Sequence, residues 1–425
     1  MYSRWATNEE LLTILTKIDA KSEVKKSGVP IMYDNKSMYI KDDETHTMVI
    51  ATSGSGKIQS ILLPQTRLAI KSGESLLVND IKGEIYNQVK EELNNNDYNT
   101  LIINLDDSNK SDKFNVLTLP YRLYKDGNKD KAIDVLDNIA YYFLSSEKYS
   151  NNTDPFWVNS ACSLFVGLSL YLFENEKEEN ISINHIFELS TDFDKITDYI
   201  NNMNKTSPIY INLSPIALAP KETKDSIISV FGQQLKLFVT KEQLSHILSD
   251  EILNYKNILD KKTAIFIISN NNSVSKRLIP LIVSEIYDMV AINGINKRFN
   301  FILDEFENFI PIKNFDNMVV LSRGYNIKIT IFIRSFIDLK NTYGKENTEL
   351  LKIEFGNIIY LMANDIDTLE EISKLCGNQK VDNQIVPLIS SEELKLLELF
   401  EAIILMPRIY PIKTKLVPDY KIEWK

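Results

Sequence analysis

A glycine-rich segment near the amino terminus has the composition of a phosphate-binding loop. Residues 51–57 read ATSGSGK and directly follow an apolar run at residues 47–50. Loops of this kind turn backbone N–H groups inward around phosphate oxygens, and glycines leave open the space that a Cβ would fill. A helix beginning near Lys57 would point its positive end at the anion, and the lysine ammonium would reach the outer phosphates. The predicted contacts to a nucleotide come from Thr52, Ser53, Gly54, Ser55, Gly56, Lys57, Ile58 and Gln59.

Two positions in this loop depart from the usual G-x-x-x-x-G-K-[ST] pattern. Ala51 stands in place of the first glycine, which is a mild change if its backbone angles stay in an allowed region. Ile58 stands in place of the residue whose hydroxyl normally binds Mg²⁺. Metal placement would then depend on water, on Asp304 or on another hydroxyl such as Ser60. The alternative is a vestigial loop in a structural domain.

A pair of carboxylates follows a second apolar run, at residues 299–303. Asp304 and Glu305 have the form of a Walker B element, in which the aspartate organises Mg²⁺ through water and the glutamate activates the attacking water. The alternative is two solvated carboxylates at a strand end. Asp304 follows Lys57 by 247 residues, which is far longer than in a compact NTPase. An inserted domain would account for that spacing.

Three further charged residues are candidates for the same site. Asp80 ends the apolar run at residues 76–78, where it could support the metal or the loop, or merely cap a strand-to-helix turn. Arg323 and Arg334 could neutralise the negative charge that builds up during phosphoryl transfer. Such an arginine often comes from a neighbouring subunit. Each arginine could instead be a surface or ion-pairing residue.

The elements that must position these residues are visible as short apolar runs separated by stretches of helical periodicity. Unbroken apolar runs are typical of strands covered on both faces, and their alternation with helices predicts a parallel α/β sheet. Residues 123–240 show helical spacing without a comparable run, which predicts an inserted all-α domain between nucleotide-binding segments at 1–122 and 241–425. The predicted strands lie at residues 47–50, 76–78, 101–104, 264–268, 299–303, 327–333, 358–362 and 402–406.

Composition excludes several classes of protein. The net charge of −10 excludes coating of nucleic acid through bulk charge, and no dense run of lysine, arginine and aromatic residues marks a DNA site. Two distant cysteines, Cys162 and Cys376, exclude a disulfide framework and indicate a reducing compartment. No signal peptide is predicted, and the uncharged run at residues 155–173 is a weak membrane span that we interpret as a buried helix. A cytoplasmic location is therefore expected.

An ordered series of motifs resembles the type IV coupling proteins, the TraG/TraD-like family of DNA-pumping ATPases in conjugation and type IV secretion. The series covers most of the chain, and its order makes the resemblance specific. Residues 78–84 resemble the family's T-D-P-K-G-E stretch, and residues 303–306 its acidic strand end. The other matching segments are residues 3–7, 112–117, 154–157, 322–325, 343–345 and 402–407.

The resemblance implies a RecA-like P-loop NTPase with an inserted all-α domain, assembled as a ring that is usually a hexamer. It implies ATP and Mg²⁺ at subunit interfaces, and single-stranded DNA, a relaxase or another secreted protein as substrate. Family members usually have membrane helices ahead of the segment that corresponds to residues 3–7, so the chain is expected at the inner face of the membrane, held there by type IV secretion components or by a missing membrane segment. Ile58 departs from the family, as does Arg334, which stands where glutamine is frequent.

Three functions remain open at the level of sequence. The first is an ATP-driven translocase that couples DNA, or a relaxase bound to DNA, to a secretion channel. The second is a non-hydrolysing nucleotide-binding scaffold that recruits protein substrates, which Ile58 and the acidic net charge favour. The third is a soluble ATPase that acts on proteins alone. DNA-stimulated ATPase activity would separate the first from the other two.

Overall fold

The fold is built around one large sheet. The structure is a computed structural model that describes residues 2–34, 37–144, 154–248, 255–270 and 272–424. Its strands, in chain order, are β1 (Thr16–Ile18), β2 (Val29–Asp34), β3 (Ser37–Lys41), β4 (Thr47–Ala51), β5 (Ser75–Asn79), β6 (Asn99–Asn104), β7 (Thr263–Ile268), β8 (Phe299–Leu303), β9 (Ile327–Ile333), β10 (Asn357–Met362), β11 (Asn378–Val381), β12 (Gln384–Pro387), β13 (Glu401–Leu405) and β14 (Ile412–Lys415).

The large sheet has nine strands in the order β14-β13-β10-β4-β9-β8-β5-β7-β6. The neighbours β10, β4, β9, β8 and β5 run parallel, whereas β13 pairs antiparallel with β10 and β14 pairs antiparallel with β13. Each of the eight predicted runs lies on a strand of this sheet. The predicted α/β class with a mostly parallel sheet is therefore confirmed.

Burial explains why these runs became strands. Every residue of β4, β5, β8 and β9 is buried, as expected for a sheet covered by helices on both faces. The register pairs Ile50 with Ile333, Leu303 with Ile331, and Asn79 with Leu303. The carboxyl ends of these four strands consequently meet at one edge of the sheet, where open α/β folds bind their ligands.

Helices occupy most of the remaining chain. In chain order they are α1 (Asn8–Leu12), α2 (Leu63–Ser72), α3 (Glu84–Asn95), α4 (Thr118–Lys125), α5 (Lys129–Leu144), α6 (Pro155–Asn175), α7 (Ile183–Thr191), α8 (Phe193–Asn201), α9 (Pro208–Ala217), α10 (Lys221–Val239), α11 (Glu242–Ile247), α12 (Tyr255–Asp260), α13 (Ser275–Asn293), α14 (Phe315–Ser322), α15 (Phe336–Tyr343), α16 (Lys345–Glu354), α17 (Ile366–Cys376) and α18 (Ser391–Lys395).

The chain divides into two compact units. The sheet unit comprises Met1–Leu101, Lys256–Phe266 and Val290–Lys425, and the helical unit comprises Ile102–Tyr255 and Ile267–Met289. The predicted all-α segment 123–240 falls inside the helical unit, which also takes in residues on both sides of that segment and part of α13. The predicted domain bounds differ from these, and the division into functional domains stays a prediction.

The helical unit is packed around α6. Among the residues that the structure describes, α6 is the one helix long and apolar enough to cross a membrane, and 56% of its most apolar window is buried. Phe165 and Leu168 on this helix are fully buried, in agreement with the buried-helix interpretation. Gly167 allows α9 to approach closely, because a Cβ at that position would lie 2.3 Å from Cδ2 of Leu213.

Candidate functional site

The phosphate loop has the backbone that its sequence predicts. Gly54 and Gly56 both have φ of +82°, a conformation that costs other residues free energy. The backbone N–H of Thr52 donates to the carbonyl of Met362 at 3.0 Å, which ties the loop to the neighbouring strand β10. Ala51 is the last residue of β4 and lies in its extended conformation, so the replacement of the usual glycine is accommodated without strain.

The helix after the loop starts near Lys57, as predicted, but its first turn is π-helical rather than α-helical. Lys57 precedes one turn of π-helix, Ile58–Leu62, which continues into α2. The hydroxyl of Ser60 is fully buried and donates to the carbonyl of Gly56 at 3.0 Å. The structure gives no support to Ser60 as a substitute for the missing metal-binding hydroxyl, because its oxygen faces the loop backbone.

Lys57 and Asp304 meet across the sheet edge. The Lys57 ammonium donates to Oδ1 of Asp304 at 2.6 Å, and the two side chains are only 13% and 10% exposed. Burial raises the pKa of Asp304, and the Lys57 charge opposes that shift. Residues separated by 247 positions in sequence thus form one buried ion pair at the predicted site.

Glu305 has a backbone conformation that is uncommon outside glycine. Its φ of +48° and ψ of +46° place it in the left-handed region, and its N–H donates to Oδ1 of Asp304 at 2.9 Å. Its Oε2 accepts a hydrogen bond of 2.6 Å from the Asn308 amide. Residues with such backbone angles cluster at functional sites, and here the Asn308 amide orients the second carboxylate.

These residues line one cleft of about 480 Å³, within the range of small-molecule sites. The predicted residues along it are Ser53, Gly54, Gly56, Lys57, Ile58, Gln59, Asp80, Asp304, Glu305 and Arg334. The remaining predicted residues, Thr52, Ser55 and Arg323, do not line the cleft. The prediction that the loop and the acidic pair share one site is supported by this geometry, and their roles remain to be tested.

Polar atoms without a partner lie beside the loop and in the cleft lining. The hydroxyls of Thr52 and Ser55 are buried next to the cleft without a hydrogen-bond partner among the described residues, and so is Oδ1 of Asn79, which lines the cleft. The Asn79 Nδ2 donates to the main-chain carbonyl of Asp304 at 2.9 Å, which orients the amide beside the acidic pair. Mg²⁺ is commonly held by one or two carboxylates together with substrate phosphates. Asp304 and the cleft therefore fit a nucleotide with its metal.

Asp80 caps the strand-to-helix turn, which is the second of its two predicted roles. Its Oδ2 accepts a hydrogen bond of 2.8 Å from the N–H of Tyr86, in the first turn of α3. Burial raises the pKa of Asp80, and the backbone N–H of Tyr86 opposes that shift. The residue therefore fixes the strand-to-helix turn, although it also lines the cleft and can reach a ligand there.

Arg334 lies at the cleft and is held by a carboxylate of its own chain. Its Nε donates to Oε1 of the buried Glu307 at 2.7 Å, and its Nη2 donates to Oδ1 of Asn308 at 3.2 Å. Burial raises the pKa of Glu307, and the Arg334 charge opposes that shift. The ion-pairing alternative for Arg334 thus agrees with the structure, while its side chain stays 46% exposed at the cleft.

Arg323 lies away from this cleft. It sits in the turn that leads into β9, whereas the loop follows the carboxyl end of β4, which runs parallel to β9. Burial lowers the pKa of His46, just before β4, to about 4, and the Arg323 charge lowers it as well. Arg323 is therefore near the amino ends of the strands and cannot serve the site of its own chain.

Several residues that line the cleft, and Glu307, which holds Arg334 beside it, were not singled out from sequence. Asn79 and Lys82 flank Asp80 within a segment whose position at a strand end could have identified them. Glu307 follows the acidic pair by two positions, but its pairing with Arg334 depends on how β8 and β9 end. Phe400 is separated from the loop by more than 300 residues, and no pattern in the sequence connects the two.

Solved structures share this fold at low sequence identity. The bacterial conjugative coupling protein TrwBdeltaN70, in complex with sulphate, has a TM-score of 0.71 at 14% identity over 98% of this chain and 94% of that chain. TrwB in complex with the non-hydrolysable ATP analogue ADPNP gives a TM-score of 0.70 at 14% identity over the same shares. VirB4 of Thermoanaerobacter pseudethanolicus gives a TM-score of 0.60 at 14% identity, over 93% of this chain and 98% of that chain.

Sequence comparisons identify the family. A search of curated proteins finds no significant match. The model of the family described as type IV secretory system conjugative DNA transfer matches residues 5–416, which is nearly the whole chain. The predicted resemblance is thereby confirmed, and the chain belongs to the type IV secretory system conjugative DNA transfer family.

Proposed function

We propose that this chain is an ATP-driven coupling protein that brings single-stranded DNA, alone or bound to a protein such as a relaxase, to a type IV secretion channel. The observation that carries the proposal is the buried contact of 2.6 Å between Lys57 and Asp304. It joins the phosphate loop to the acidic strand end within the cleft. Membership of the conjugative DNA transfer family supports the choice of substrate.

Nucleotide binding would proceed by exchange of the Lys57 partner. The ammonium pairs with Asp304 in this structure and would transfer to the outer phosphates of ATP, while the loop amides surround the phosphate chain. The same exchange would release Asp304 to hold Mg²⁺ through water. The ion supplies charge neutralisation on the phosphates when bound. TrwB has been solved with ADP and Mg²⁺, which supports this assignment of cofactors.

Hydrolysis would require Glu305 and an arginine. Glu305 is oriented by Asn308 and would accept a proton from the attacking water. Arg334 lies at the cleft but is neutralised by Glu307, so it would stabilise the transition state only after weakening that pair. Arg323, far from its own cleft, would act on the cleft of a neighbouring copy in a ring.

A weakly hydrolysing scaffold that recruits proteins is the second candidate. It is favoured by Ile58, which supplies no hydroxyl, and by the burial of Ser60 against Gly56. Loop and lysine would then bind nucleotide while metal placement remains poor. In either case we propose a hexameric ring at the inner face of the membrane, held by type IV secretion components.

ATPase assays with and without single-stranded DNA would test the proposal. We expect hydrolysis by the wild-type chain to rise with DNA, and Glu305→Gln to abolish turnover while nucleotide affinity is preserved. Glu91→Gln, at an exposed glutamate of α3 that does not line the cleft, is the matched control and should retain activity. Nucleotide binding without any DNA-stimulated turnover would contradict the motor and favour the scaffold, and sizing of the protein in solution would test for the ring.

A further inference from the structure

An aromatic side chain lies against the phosphate loop. A Cβ built on Gly56 would lie 2.6 Å from Cε1 of Phe400 and 3.2 Å from Cδ1 of Leu399. Both side chains line the cleft, and Leu399 is 54% exposed. Only glycine at position 56 lets the ring come this close. The cleft therefore has an apolar wall in direct contact with the loop, a feature that phosphate binding does not require.

The backbone holds this ring in a defined place. Phe400 has φ of +71°, a conformation that bulky residues rarely adopt. Its carbonyl accepts a hydrogen bond of 2.8 Å from the N–H of Leu416, beyond β14. A strained residue persists where the surrounding structure determines it, and such residues concentrate at ligand sites.

The sheet order places the ring on the side of the loop opposite to the acids. β10 and β13 follow β4 in one direction, whereas β9 and the acidic strand β8 follow it in the other. β13 is antiparallel to β10, so its first residues lie at the same sheet edge as the loop. A triphosphate with its outer end at Lys57 and Asp304 would extend its nucleoside end toward Phe400.

We propose that Phe400, with Leu399, is the platform on which the base of the bound nucleotide stacks. The inference rests on the proposed nucleotide-binding function and adds the residue that recognises the base. Stacking on an aromatic ring is tolerant of base identity, because every base has a π-face. The platform would therefore accept adenine and guanine alike, and affinity would depend on the presence of a base.

Comparing ligands with and without a base tests the platform directly. We expect Phe400→Ala to lower affinity for a non-hydrolysable ATP analogue about tenfold, the effect of losing one aromatic stack. Affinity for inorganic triphosphate should stay unchanged, and Phe400→Trp should retain binding of the ATP analogue. If Phe400→Ala folds poorly, Phe400→Gly provides a second test, because glycine relieves the backbone strain. It should show the same loss of affinity for the ATP analogue. Leu396→Ala is the control, since Leu396 is 79% exposed in the same loop and does not line the cleft.

The remaining outcomes would overturn the inference. Equal losses for the ATP analogue and for triphosphate would show that Phe400 merely supports the loop. Tighter ATP binding by Phe400→Ala would show that the ring obstructs the cleft. Unchanged ATP affinity would remove the platform but leave the proposed function intact, whereas a wild-type chain that binds neither ligand would refute the proposed function as well.

Discussion

The two units of the molecule treat buried charge in opposite ways. In the sheet unit, buried carboxylates have partners, either cations, as in Lys57 with Asp304, Arg334 with Glu307 and Arg67 with Asp419, or neutral donors, as at Glu74 and Asp80. In the helical unit, Glu285 on α13 is 1% exposed, and both its carboxylate oxygens have no hydrogen-bond partner among the described residues. The sheet unit thus gives its buried acids partners, at the cleft and elsewhere, whereas burial raises the pKa of the unpartnered Glu285 in the helical unit.

Breaking the Lys57–Asp304 pair should have the largest effect. Lys57→Ala leaves Asp304 buried without its cation, and losing one partner of a buried pair costs about 3 kcal/mol of unfolding free energy. Nucleotide affinity should fall at least about 100-fold, which corresponds to a loss of about 3 kcal/mol of binding free energy. Denaturant unfolding and nucleotide titration measure the two effects.

A neutral version of the same pair separates stability from binding. The double variant Lys57→Met with Asp304→Asn contains no unpaired charge, so it should recover most of the stability. It should not recover nucleotide binding. Recovery of both would mean that the pair serves structure alone and that the cleft does not use Lys57.

Adding a side chain where α6 and α9 approach closely should have the next largest effect. It should lower the stability of the helical unit. Gly167→Ala would place a Cβ 2.3 Å from Leu213, an overlap that costs about 2 kcal/mol. Gly232→Ala in α10 is the matched control, because no atom lies within 4 Å of its Cβ position. The free energy of unfolding of the control should rise by up to about 1 kcal/mol, because alanine has a higher helix propensity than glycine. Equal responses of the two variants in thermal unfolding would contradict the packing described.

Glu285 should give the helical unit a pH dependence of its own. Burial raises the pKa of Glu285 well above its usual range, and the Asp288 charge adds to that shift. Burial also raises the pKa of Asp288 to about 7, with a contribution from Asp134. The folded state thus binds protons that the unfolded state has released, so stability falls as pH rises above the carboxyl pKa of the unfolded chain.

The matching variant is Glu285→Gln, which is neutral at every pH. Its melting temperature should exceed that of the wild type at pH 8 and lie close to it at pH 5. Glu179→Gln, at an exposed carboxylate, should change the melting temperature at neither pH. A shift of equal size at both pH values would show that the buried acid is not responsible.

Restoring the missing hydroxyl should have the smallest effect. Ile58→Thr would supply the oxygen that usually binds Mg²⁺ and should tighten nucleotide binding in the presence of Mg²⁺ up to about tenfold, the scale of one metal-site contact. Binding without metal should not change. Calorimetric titration with and without a chelator tests this, and an unchanged metal dependence would mean that the site already places the ion well.

The sheet could be predicted because its strands are buried on both faces. Unbroken apolar runs such as Phe299–Leu303 leave no polar alternation, and all eight predicted runs are strands. The small antiparallel sheet of β1, β3 and β2 was not predicted. β1 and the hairpin of β11 and β12 are mostly exposed and give no strong apolar signal, whereas β2 and β3 are largely buried but have shorter apolar stretches, and β2 contains Pro30.

The site could be predicted only as far as strand ends determine it. Lys57, Asp304 and Arg334 follow parallel strands, and chain direction alone brings them to one edge. The contact of Phe400 with Gly56 depends on the antiparallel turn into β13 and on a left-handed backbone, neither of which is encoded in a local pattern. The burial of Ser60 depends on a single π-helical turn. Features of this kind arise from tertiary packing.

The most direct test of the central claim is the Mg²⁺ dependence of nucleotide binding in Asp304→Asn. If the loop and the acidic pair serve one triphosphate, Mg²⁺ should tighten binding of an ATP analogue to the wild-type chain about tenfold or more. Asp304→Asn should lose that gain, and its affinity in the absence of metal should not fall, because Lys57 no longer has to leave a carboxylate. An undiminished gain with Mg²⁺ in Asp304→Asn would contradict the claim.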